Sequence, residues 1–494
     1  MSLRPIVASG WRLVCRLAGS CRRQASRRLA GVSRRHVTRK LMGLCGRRSG
    51  YRLPSLWAWL LLLTVACGDG GPPRPRNVLL LSIDTLRADH LGCYGYDRPT
   101  SPFLDELAGR GVRFENVVAQ SPWTLPSHTS LLTGLLPQRH GVTSGDKRLS
   151  QELPTLHGLL SAQGLTTAAI INSRFLGERH GLSLAFDHVD LLKEKPKAGP
   201  AVFDHALSWL DGAAEQPFFL FLHTYHVHSD YTPAPSYRDL LVDAYDGDAD
   251  GSADQLQAFR RGERTFDEQD MRHVSQLYDA EIRELDDLLA SFFGELQSRG
   301  LLDHTLVIVT SDHGEEFLEH GDVLHGRTMH RESLNIPLLL SGPSIPAGRT
   351  VDDLVMLTDV LPTVARAFGQ PVPEDCDGLD LAPLWAEPGQ HRWVFAGADH
   401  NNEPAGLRSM IRDDRFKLMH DGADGSFALY DLRNDPGETV DLSAERGELA
   451  EHMLGVLQRL SAEPGSSEQA APQSAEDLKA LQELGYFDVT DGDR

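Results

Sequence analysis

The chain has 494 residues, of which 49 are basic and 69 are acidic. The first 67 residues hold 14 Lys or Arg and no Asp or Glu, which leaves 35 basic against 69 acidic residues and a formal net charge of −34 for the remainder. Such an acidic chain argues against nucleic acid as a partner and against simple adsorption to anionic lipid. An anionic substrate would therefore need a bound cation or a local cluster of basic side chains.

Residues 1–67 have the pattern of a targeting segment rather than of a domain. An apolar stretch from Leu56 to Ala66 is short for a membrane span and fits the hydrophobic region of a signal sequence. It is similar to a bacterial lipoprotein signal with Cys67 as the lipid-anchored residue; cleavage with release and an uncleaved anchor are the alternatives. The basic stretch before Met42 makes Met42 an alternative start. We expect an exported protein of the periplasm or cell envelope, with residues 68–76 as a linker.

Two cysteines follow Cys67, namely Cys93 and Cys376. In an oxidising compartment they could form one disulfide, but the sequence does not determine the pairing. Two buried thiols are the preferred interpretation.

Residues 77–388 alternate short apolar runs with helical patterns, which predicts an α/β domain. The runs typical of buried strands are Val78–Ile83, Thr167–Ile171, Phe218–Leu222, Leu306–Val309 and Ile336–Leu340. The helical patterns are Phe103–Gly109, Val202–Leu210, Asp270–Leu289 and Leu357–Phe368. This alternation favours a mostly parallel sheet sandwiched by helices.

Residues 389–462 are predicted to form a small α+β subdomain. Its expected elements are four short antiparallel strands and a helix: Val394–Ala398, Ser409–Ile411, Phe416–Met419, Phe427–Tyr430 and Ala444–Leu460. Residues 463–494 are predicted to be a flexible tail, because Glu463–Ser474 is rich in Pro, Ser, Glu and Ala.

Thr124 lies in the run SPWTLPSHTSLLTG, residues 121–134. A hydroxyl residue before a helix-like stretch indicates a strand-to-helix turn, where α/β enzymes place nucleophiles at a helix N-terminus. A threonine that only caps the helix is the alternative. The segments Leu125–Ser127 and Ser130–Gly134 resemble the signature of the sulfatase family, in the alkaline phosphatase superfamily. The resemblance extends from Asn77 to Leu460 and implies an alkaline-phosphatase-like fold.

The run departs from that signature at two positions. The family oxidises a Cys or Ser to formylglycine at the position of Thr124, whereas the methyl group on a threonine Cβ would lead to a ketone. The resemblance to phosphoryl-transferring relatives therefore implies a direct threonine alkoxide. The signature Arg is replaced by His128, which we place among the catalytic residues.

Acidic and imidazole side chains follow two of the predicted strands. Asp84 comes directly after the first strand, and Asp312 and His313 follow the strand at Leu306–Val309. Because parallel strands end at one edge of a sheet, these side chains are expected to meet there. Two carboxylates and an imidazole suit a divalent cation.

The resemblance implies a single metal site formed by Asp84, Thr124, Asp312 and His313, with Thr85 in place of a second family Asp. The ion would be Zn, Mn or Ca, and an imidazole with an alkoxide favours Zn or Mn. It would lower the pKa of the threonine hydroxyl and offset charge on the transferred group.

The resemblance also implies roles for residues around the substrate. His228 is at the position of a His that contacts the anionic group, and His325 at that of a Lys or His that protonates the leaving group. Arg327 would steady the anion.

Three further positions are assigned to substrate binding with family residues replaced. His226 is at a position usually held by Asp, and Asn172 and Arg174 take the places of a Lys and a His. Packed or solvated imidazoles are the alternative for His223 and His226. A second metal ion bound by His226, His228 and His325 is a further alternative for these histidines.

The segment Asp246–Asp254 has the acidic spacing of an EF-hand opening, with Gln257 where the closing Glu belongs. Relatives often have a Gly- and Asp-containing loop here without an ion, which is the preferred interpretation.

The predicted function is metal-dependent hydrolysis of sulfate or phosphate esters by the Thr124 alkoxide, with phosphoesters favoured. The substrate would be a small anionic ester or an envelope glycan or lipid. The alternatives are a transferase that moves a phosphorylated headgroup to an envelope acceptor, and an inactive binding homologue.

Overall fold

The structure is a computed structural model that describes residues 74–192, 199–399, 408–461 and 465–470. The chain divides into residues 1–71 and residues 72–494, and the described residues belong to the second unit. The predicted leader, the candidate start at Met42 and the anchor at Cys67 therefore lie outside the described residues. Within the described ranges, no helix combines the length and apolar composition that crossing a bilayer requires.

The described part contains a large sheet, a smaller sheet and two short strand pairs. In chain order the strands are β1 (Asn77–Ile83), β2 (Val112–Val118), β3 (Lys147–Arg148), β4 (Thr166–Ile171), β5 (His188–Leu191), β6 (Phe218–Thr224), β7 (Thr305–Thr310), β8 (Glu316–Phe317), β9 (Val323–Leu324), β10 (Leu338–Ser341), β11 (Arg349–Met356), β12 (Val394–Ala398), β13 (Arg408–Arg412), β14 (Phe416–His420), β15 (Phe427–Asp431) and β16 (Glu468–Gln469).

The large sheet has eight strands in the order β11-β2-β10-β7-β1-β6-β4-β5. All run in one direction except β10, which is antiparallel to both β7 and β2. β1 is buried on both faces: Val78 and Leu80 belong to one apolar core, and Leu79 and Leu81 to the other. The predicted α/β class, with a mostly parallel sheet covered on both faces, is confirmed.

The strands that the sequence pattern missed lie mainly at one side of the sheet. β2 carries Arg113 and Glu115 among its apolar residues, and β11 carries Asp352 and Asp353 at a register shift. These polar residues interrupt the apolar runs by which buried strands are recognised. The predicted strand at Ile336–Leu340 begins later, at β10, after a proline that cannot donate to the ladder.

Helices cover the large sheet and begin close to the predicted positions. In chain order they are α1 (Pro102–Gly109), α2 (Thr124–Thr133), α3 (Pro137–His140), α4 (Leu156–Ser161), α5 (Gly199–Ala213), α6 (Pro235–Leu241), α7 (Ala253–Arg260), α8 (Glu268–Ser298), α9 (Arg331–Leu334), α10 (Val360–Ala367) and α11 (Gly447–Ser461). A capping box between Asp267 and Asp270 starts α8. A 3₁₀ turn at Leu357–Asp359 precedes α10.

The C-terminal subdomain contains the antiparallel sheet β12-β13-β14-β15 and helix α11. Its strands agree with the predicted ones to within a residue at each end. The predicted linker at Glu463–Ser474 is described only at residues 465–470, where β16 pairs with β3.

Candidate active site

Three adjacent strands of the large sheet end at the candidate site. β1 lies between β7 and β6, with Ser82 opposite Thr310 on one side and His223 on the other. Asp84 directly follows β1, and Asp312 comes two residues after the end of β7. The carboxyl ends of parallel strands thus bring residues far apart in sequence to one edge, as in other open α/β sheets.

Thr124 is the first residue of α2 and is completely buried. Its Oγ1 lies 3.3 Å from Asp84 Oδ2 and 3.4 Å from His313 Nε2. The helix is fixed to the sheet because Ser127 Oγ donates to the carbonyl oxygen of Asp312 at 2.6 Å. It ends at Gly134, whose φ of 69° is the left-handed conformation that favours glycine. The hydroxyl therefore lies at a helix N-terminus, where free N–H groups favour an anion.

Two buried carboxylate oxygens of this cluster lack a hydrogen-bond partner among the described residues: Asp84 Oδ1 and Asp312 Oδ2. Burial raises the pKa of Asp84 well above its usual range, and the neighbouring Asp312 raises it further. Burial also opposes ionisation of Asp312, but His313 and His128 outweigh it and lower the pKa of Asp312. Buried carboxylate oxygens that lack partners are costly unless a cation compensates them.

The His313 ring is oriented to present one nitrogen to these carboxylates. Its Nδ1 lies 3.0 Å from the Gly314 carbonyl oxygen, so the ring donates there, and Nε2 is directed towards the carboxylates of Asp312 and Asp84, which outweigh burial and raise the pKa of His313. Nε2 lies 3.3 Å from Asp312 Oδ2 and 3.6 Å from Asp84 Oδ1. Gly314 allows this turn because a Cβ would collide with the carbonyl group of Glu332. A hydrogen bond from one ring nitrogen to a carbonyl group, as from Nδ1 to Gly314, is typical of imidazoles that bind a metal ion through the other nitrogen.

The side chains of Asp84, Thr124, Asp312 and His313 fit a divalent cation, as the sequence predicts. Asp84, Asp312 and His313 form one group of closely spaced potential ligands, and Asp312 with His128 and His223 forms another. Oxygen and imidazole donors of this kind accept zinc or manganese, while calcium prefers oxygen alone.

His128 contacts the backbone of Thr124 rather than its hydroxyl group. Its Nδ1 lies 2.9 Å from the Thr124 carbonyl oxygen, and its Nε2 lies 2.9 Å from Ser82 Oγ. Burial lowers the pKa of His128 to about 4, so the ring is neutral at neutral pH. With both nitrogens engaged, His128 has the geometry of a residue that positions Thr124, not of one that contacts the reacting atoms.

His223 belongs to the site although the sequence pattern left it open as a packed imidazole. Its Nε2 lies 3.0 Å from Asp84 Oδ2, and its Nδ1 lies 3.2 Å from Asn172 Oδ1. Asn172 Oδ1 also accepts from the backbone N–H of Tyr225 at 3.2 Å. Asn172, predicted to bind substrate, thus orients His223. Its position in a strand next to β1 was the signal that could have identified His223.

His228 and His325 lie next to each other, and His325 also lies next to His313. Their ring centroids are 5.1 Å apart, and those of His325 and His313 are 4.4 Å apart. Glu315 Oε1 lies 2.8 Å from His325 Nδ1, and Tyr231 donates its hydroxyl hydrogen to Glu315 Oε2 at 2.8 Å. Burial, assisted by His313, lowers the pKa of His325 well below its usual range. Glu315 was not predicted, because only the β8–β9 hairpin brings it to His325.

Three further residues were predicted to bind substrate, namely His226, Arg174 and Arg327. His226 Nε2 lies 4.0 Å from Glu284 Oε2, and its ring packs against Gly199, where a Cβ would collide with it. Arg174 begins a 3₁₀ turn, and the Arg327 carbonyl oxygen accepts from Arg408 Nη1 at 2.8 Å.

Two alternatives from the sequence are not matched in the described residues. The potential metal groups there do not combine His226, His228 and His325, nor do they include the acidic loop Asp246–Asp254. Within that loop Asp248 pairs with Arg264, and Asp250 accepts the N–H of Ser252 at 2.9 Å.

Cys93 and Cys376 are both free thiols. The Cys376 thiol donates to the carbonyl oxygen of Gly134 at 3.4 Å, and the backbone N–H of Cys93 donates to Asp105 Oδ1 at 2.6 Å. The preferred interpretation as thiols agrees with the structure, although both are half-buried rather than buried, and the alternative disulfide is absent from it.

The fold and this group of side chains define a hydrolase of the alkaline phosphatase superfamily. A sequence profile of the sulfatase family matches residues 76–370, and one described as N-sulphoglucosamine sulphohydrolase, C-terminal, matches residues 319–463. The first covers more than half of the chain, and the protein therefore belongs to the sulfatase family and is an ester hydrolase of that family. This confirms the family and enzyme class predicted from the sequence.

Individual relatives are distant. Arylsulfatase K of Canis lupus familiaris is 24% identical over 432 residues, which cover 76% of this chain and 80% of the relative. N-acetylglucosamine-6-O-sulfatase of Bacteroides thetaiotaomicron is 24% identical over 481 residues, covering 78% and 85%. The crystal structure of a phosphonate monoester hydrolase of Agrobacterium radiobacter superposes with a TM-score of 0.66 at 21% identity, covering 79% of this chain and 96% of that one.

Proposed function

We propose that the protein hydrolyses phosphoric and sulfuric esters with Thr124 as the nucleophile, and that phosphoesters are the preferred substrates. The observation that supports this most directly is the position of Thr124 Oγ1, which lies 3.3 Å from Asp84 and 3.4 Å from His313 at a helix N-terminus. A helix cap exposed to solvent would not need this buried polar setting.

In the first half-reaction Thr124 Oγ1 attacks the phosphorus or sulfur atom of the ester. The hydroxyl hydrogen, directed at Asp84 Oδ2, is transferred to that carboxylate oxygen as the new bond to Oγ1 forms. The bond to the alcohol oxygen breaks, and His325 supplies a proton to that oxygen. The anionic group of the bound ester opposes the effect of burial and favours the protonated imidazole before this step.

A divalent cation held by Asp84, Asp312, His313 and Thr124 would lower the pKa of the hydroxyl and offset charge on the transferred group. We favour zinc or manganese over calcium. His128 is hydrogen-bonded to the carbonyl group of Thr124, and His223 is hydrogen-bonded to Asp84. These contacts position the attacking oxygen before substrate binds.

The second half-reaction distinguishes phosphoesters from sulfates. Threonine carries one oxygen on Cβ, so the covalent ester can be cleaved only when water attacks the transferred phosphorus or sulfur atom. A formylglycine hydrate carries a second oxygen on the same carbon, which threonine cannot provide. The name of the Bacteroides relative, an N-acetylglucosamine-6-O-sulfatase, supports a saccharide as the alcohol part of the ester.

The test is a parallel assay of 4-nitrophenyl sulfate, phosphate, a phosphodiester and a phosphonate monoester with added zinc, manganese or calcium. Thr124→Val is nearly isosteric and should abolish turnover with an unchanged unfolding temperature, while Thr124→Ser should retain measurable activity. Turnover by Thr124→Val at the wild-type rate would refute the nucleophile assignment.

Metal analysis of the purified protein separates an enzyme from an inactive homologue. We expect about one divalent ion per chain in the wild-type protein. A protein with neither bound metal nor affinity for zinc or manganese would favour a binding homologue. Adding an alcohol acceptor to the assay and measuring the transferred product distinguishes hydrolysis from transfer.

We also propose that residues 1–67 direct export to the cell envelope. The mass of the exported protein tests the proposal, because cleavage before Cys67 with lipid attached, cleavage with release and an uncleaved leader give different masses.

A further inference from the structure

A second cleft lies between the edge of the large sheet and the C-terminal subdomain. Its volume is about 660 Å³, and its lining includes Asn116 of β2, Asp352 of β11 and Arg412 at the end of β13. A neighbouring cleft of about 470 Å³ shares His391, Asp414 and Arg433 with it. Together they form one depression, which we call the edge cleft.

The edge cleft is separate from the candidate active site. β13 begins at Arg408, whose guanidinium donates to the carbonyl oxygen of Arg327, two residues after His325. Arg412 ends the same strand, so the Cα atoms of the two arginines are about 13 Å apart at the usual rise of a strand.

Two guanidinium groups in the edge cleft lack a carboxylate partner among the described residues. Arg412 has its Nε buried without a hydrogen-bond partner, and its Nη2 makes only a long bond of 3.4 Å to Asn116 Oδ1. Burial outweighs the nearby carboxylates and lowers the pKa of Arg412. Arg433 is exposed and forms no ion pair with another described residue. By contrast, Arg392 and Arg415 of the same region are paired with Asp359 and Asp431.

The acidic groups of the edge cleft are largely engaged within the protein. Asp353 Oδ1 accepts the backbone N–H groups of Gly389 and Gln390, both at 2.7 Å. Asp352 Oδ1 accepts from Asn116 Nδ2 at 3.0 Å. Each keeps a second oxygen that can accept a hydroxyl group, while the arginines remain as donors for an anion.

Trp393 adds an aromatic surface to the cleft. It is 36% exposed and is among the few large apolar side chains that reach solvent in the described ranges. An indole face packs well against the C–H groups of a sugar ring, just as it packs against other apolar faces. Guanidinium groups, hydroxyl acceptors and an aromatic face are the three chemical requirements of a saccharide that carries an anionic group.

We propose that the edge cleft binds an acidic saccharide unit, with Arg412 and Arg433 on its sulfate or carboxylate group and Trp393 on its ring. The site would hold a polymeric substrate at a distance from the reacting ester. This inference rests on the proposed function for the identity of the polymer, but the cleft itself is independent of Thr124.

The test is calorimetric titration of a sulfated, uronate-containing oligosaccharide, its desulfated counterpart and a neutral oligosaccharide of equal length. Arg433→Ala and Trp393→Ala are exposed changes that should preserve folding, and each should weaken binding of the sulfated probe at least tenfold. Arg272→Ala, at an exposed arginine on α8, is the matched control and should bind like the wild-type protein.

Turnover of a small 4-nitrophenyl ester should be unchanged in these three variants. Wild-type affinity in Arg433→Ala and Trp393→Ala, or equal affinity for the neutral probe, would overturn the proposal. Equal binding of the sulfated and desulfated probes, lost in Arg433→Ala, would support it with a carboxylate as the anion. If the wild-type protein shows cleft-dependent binding but no turnover, the proposed catalytic function fails and the edge cleft stands.

Discussion

A buried ion pair between Lys417 and Glu438 offers a quantitative test of how the C-terminal subdomain supports the candidate site. Lys417 Nζ lies 2.8 Å and 2.9 Å from the two Glu438 oxygens, and both side chains are 3% exposed. Glu438 Oε2 also lies 3.0 Å from His330 Nδ1 and accepts the N–H of Arg331 at 3.2 Å. The carbonyl oxygen of Ser333, in helix α9, in turn accepts the backbone N–H of Gly314, the residue after His313.

Replacing Lys417 with Met should remove about 3 kcal/mol from the free energy of unfolding. Burial raises the pKa of Glu438, but Lys417 and His330 outweigh it and lower the pKa from 4.5 to about 2, which corresponds to roughly 3 kcal/mol. Burial also lowers the pKa of Lys417, so the desolvation of its ammonium group offsets part of the gain. Loss of one buried partner typically costs ~3–5 kcal/mol because the other charge is left behind.

The sign with pH follows from the depressed pKa of Glu438. The stabilisation is complete above about pH 4.5 and is lost as the pH falls towards 2. Urea unfolding of the wild-type protein and Lys417→Met should therefore differ by about 3 kcal/mol at pH 7, and by progressively less below pH 4.5.

The control is the double variant Lys417→Met with Glu438→Gln, which leaves no unpaired charge and should recover part of the loss. Equal or higher stability of Lys417→Met at pH 7 would refute the reasoning, since it would show that the desolvation of the ammonium group exceeds the attraction.

Three further predictions concern the site and its surroundings. Glu315→Gln should slow turnover of alkyl esters about tenfold or more, with little change for 4-nitrophenyl esters. The reason is that Glu315 positions His325, whose proton a good leaving group does not need. Equal slowing of both kinds of ester would contradict this role. Zinc or manganese at ~100 times its Kd should stabilise the wild-type protein by about 2.7 kcal/mol in thermal unfolding. Asp312→Asn should abolish that stabilisation. An equal effect of the metal on the variant would refute the assignment of Asp312 as a ligand. Hydrogen bonding to Glu332 outweighs burial and raises the pKa of His320 to about 9. The stabilisation by this pair is therefore present below pH 6.5 and is lost towards pH 9. His320→Gln should lower the free energy of unfolding by about 2 kcal/mol at pH 6 and by little at pH 10, and a loss independent of pH would contradict this prediction.

The sequence predicted the central part of the site because its residues follow strands that are apolar throughout. Asp84 comes directly after such a strand and Asp312 two residues after another, and parallel strands share an edge. Thr124 was found from its own motif, since the strand before α2 was not recognised. The structure supplies what no local pattern contained, namely that the hydroxyl lies within 3.4 Å of both Asp84 and His313.

Residues that act through a neighbour were harder to identify. His223 lies inside β6, where an imidazole between apolar residues is read as packing. Glu315 and His325 are ten residues apart, and their contact depends on the hairpin of β8 and β9. Strand-edge positions are visible in a sequence, whereas contacts made across a hairpin or between strands require the register.

The two departures from the family signature are structurally connected. Both ring nitrogens of His128 form hydrogen bonds, and the partner of Nδ1 is the backbone carbonyl oxygen of Thr124. His128 Nδ1 also lies 3.4 Å from Asp312 Oδ2. Because burial keeps the imidazole neutral, this position adds no permanent positive charge next to Asp312, whereas an arginine would. The replacement of the signature Arg by His128 is thus compatible with direct attack by Thr124.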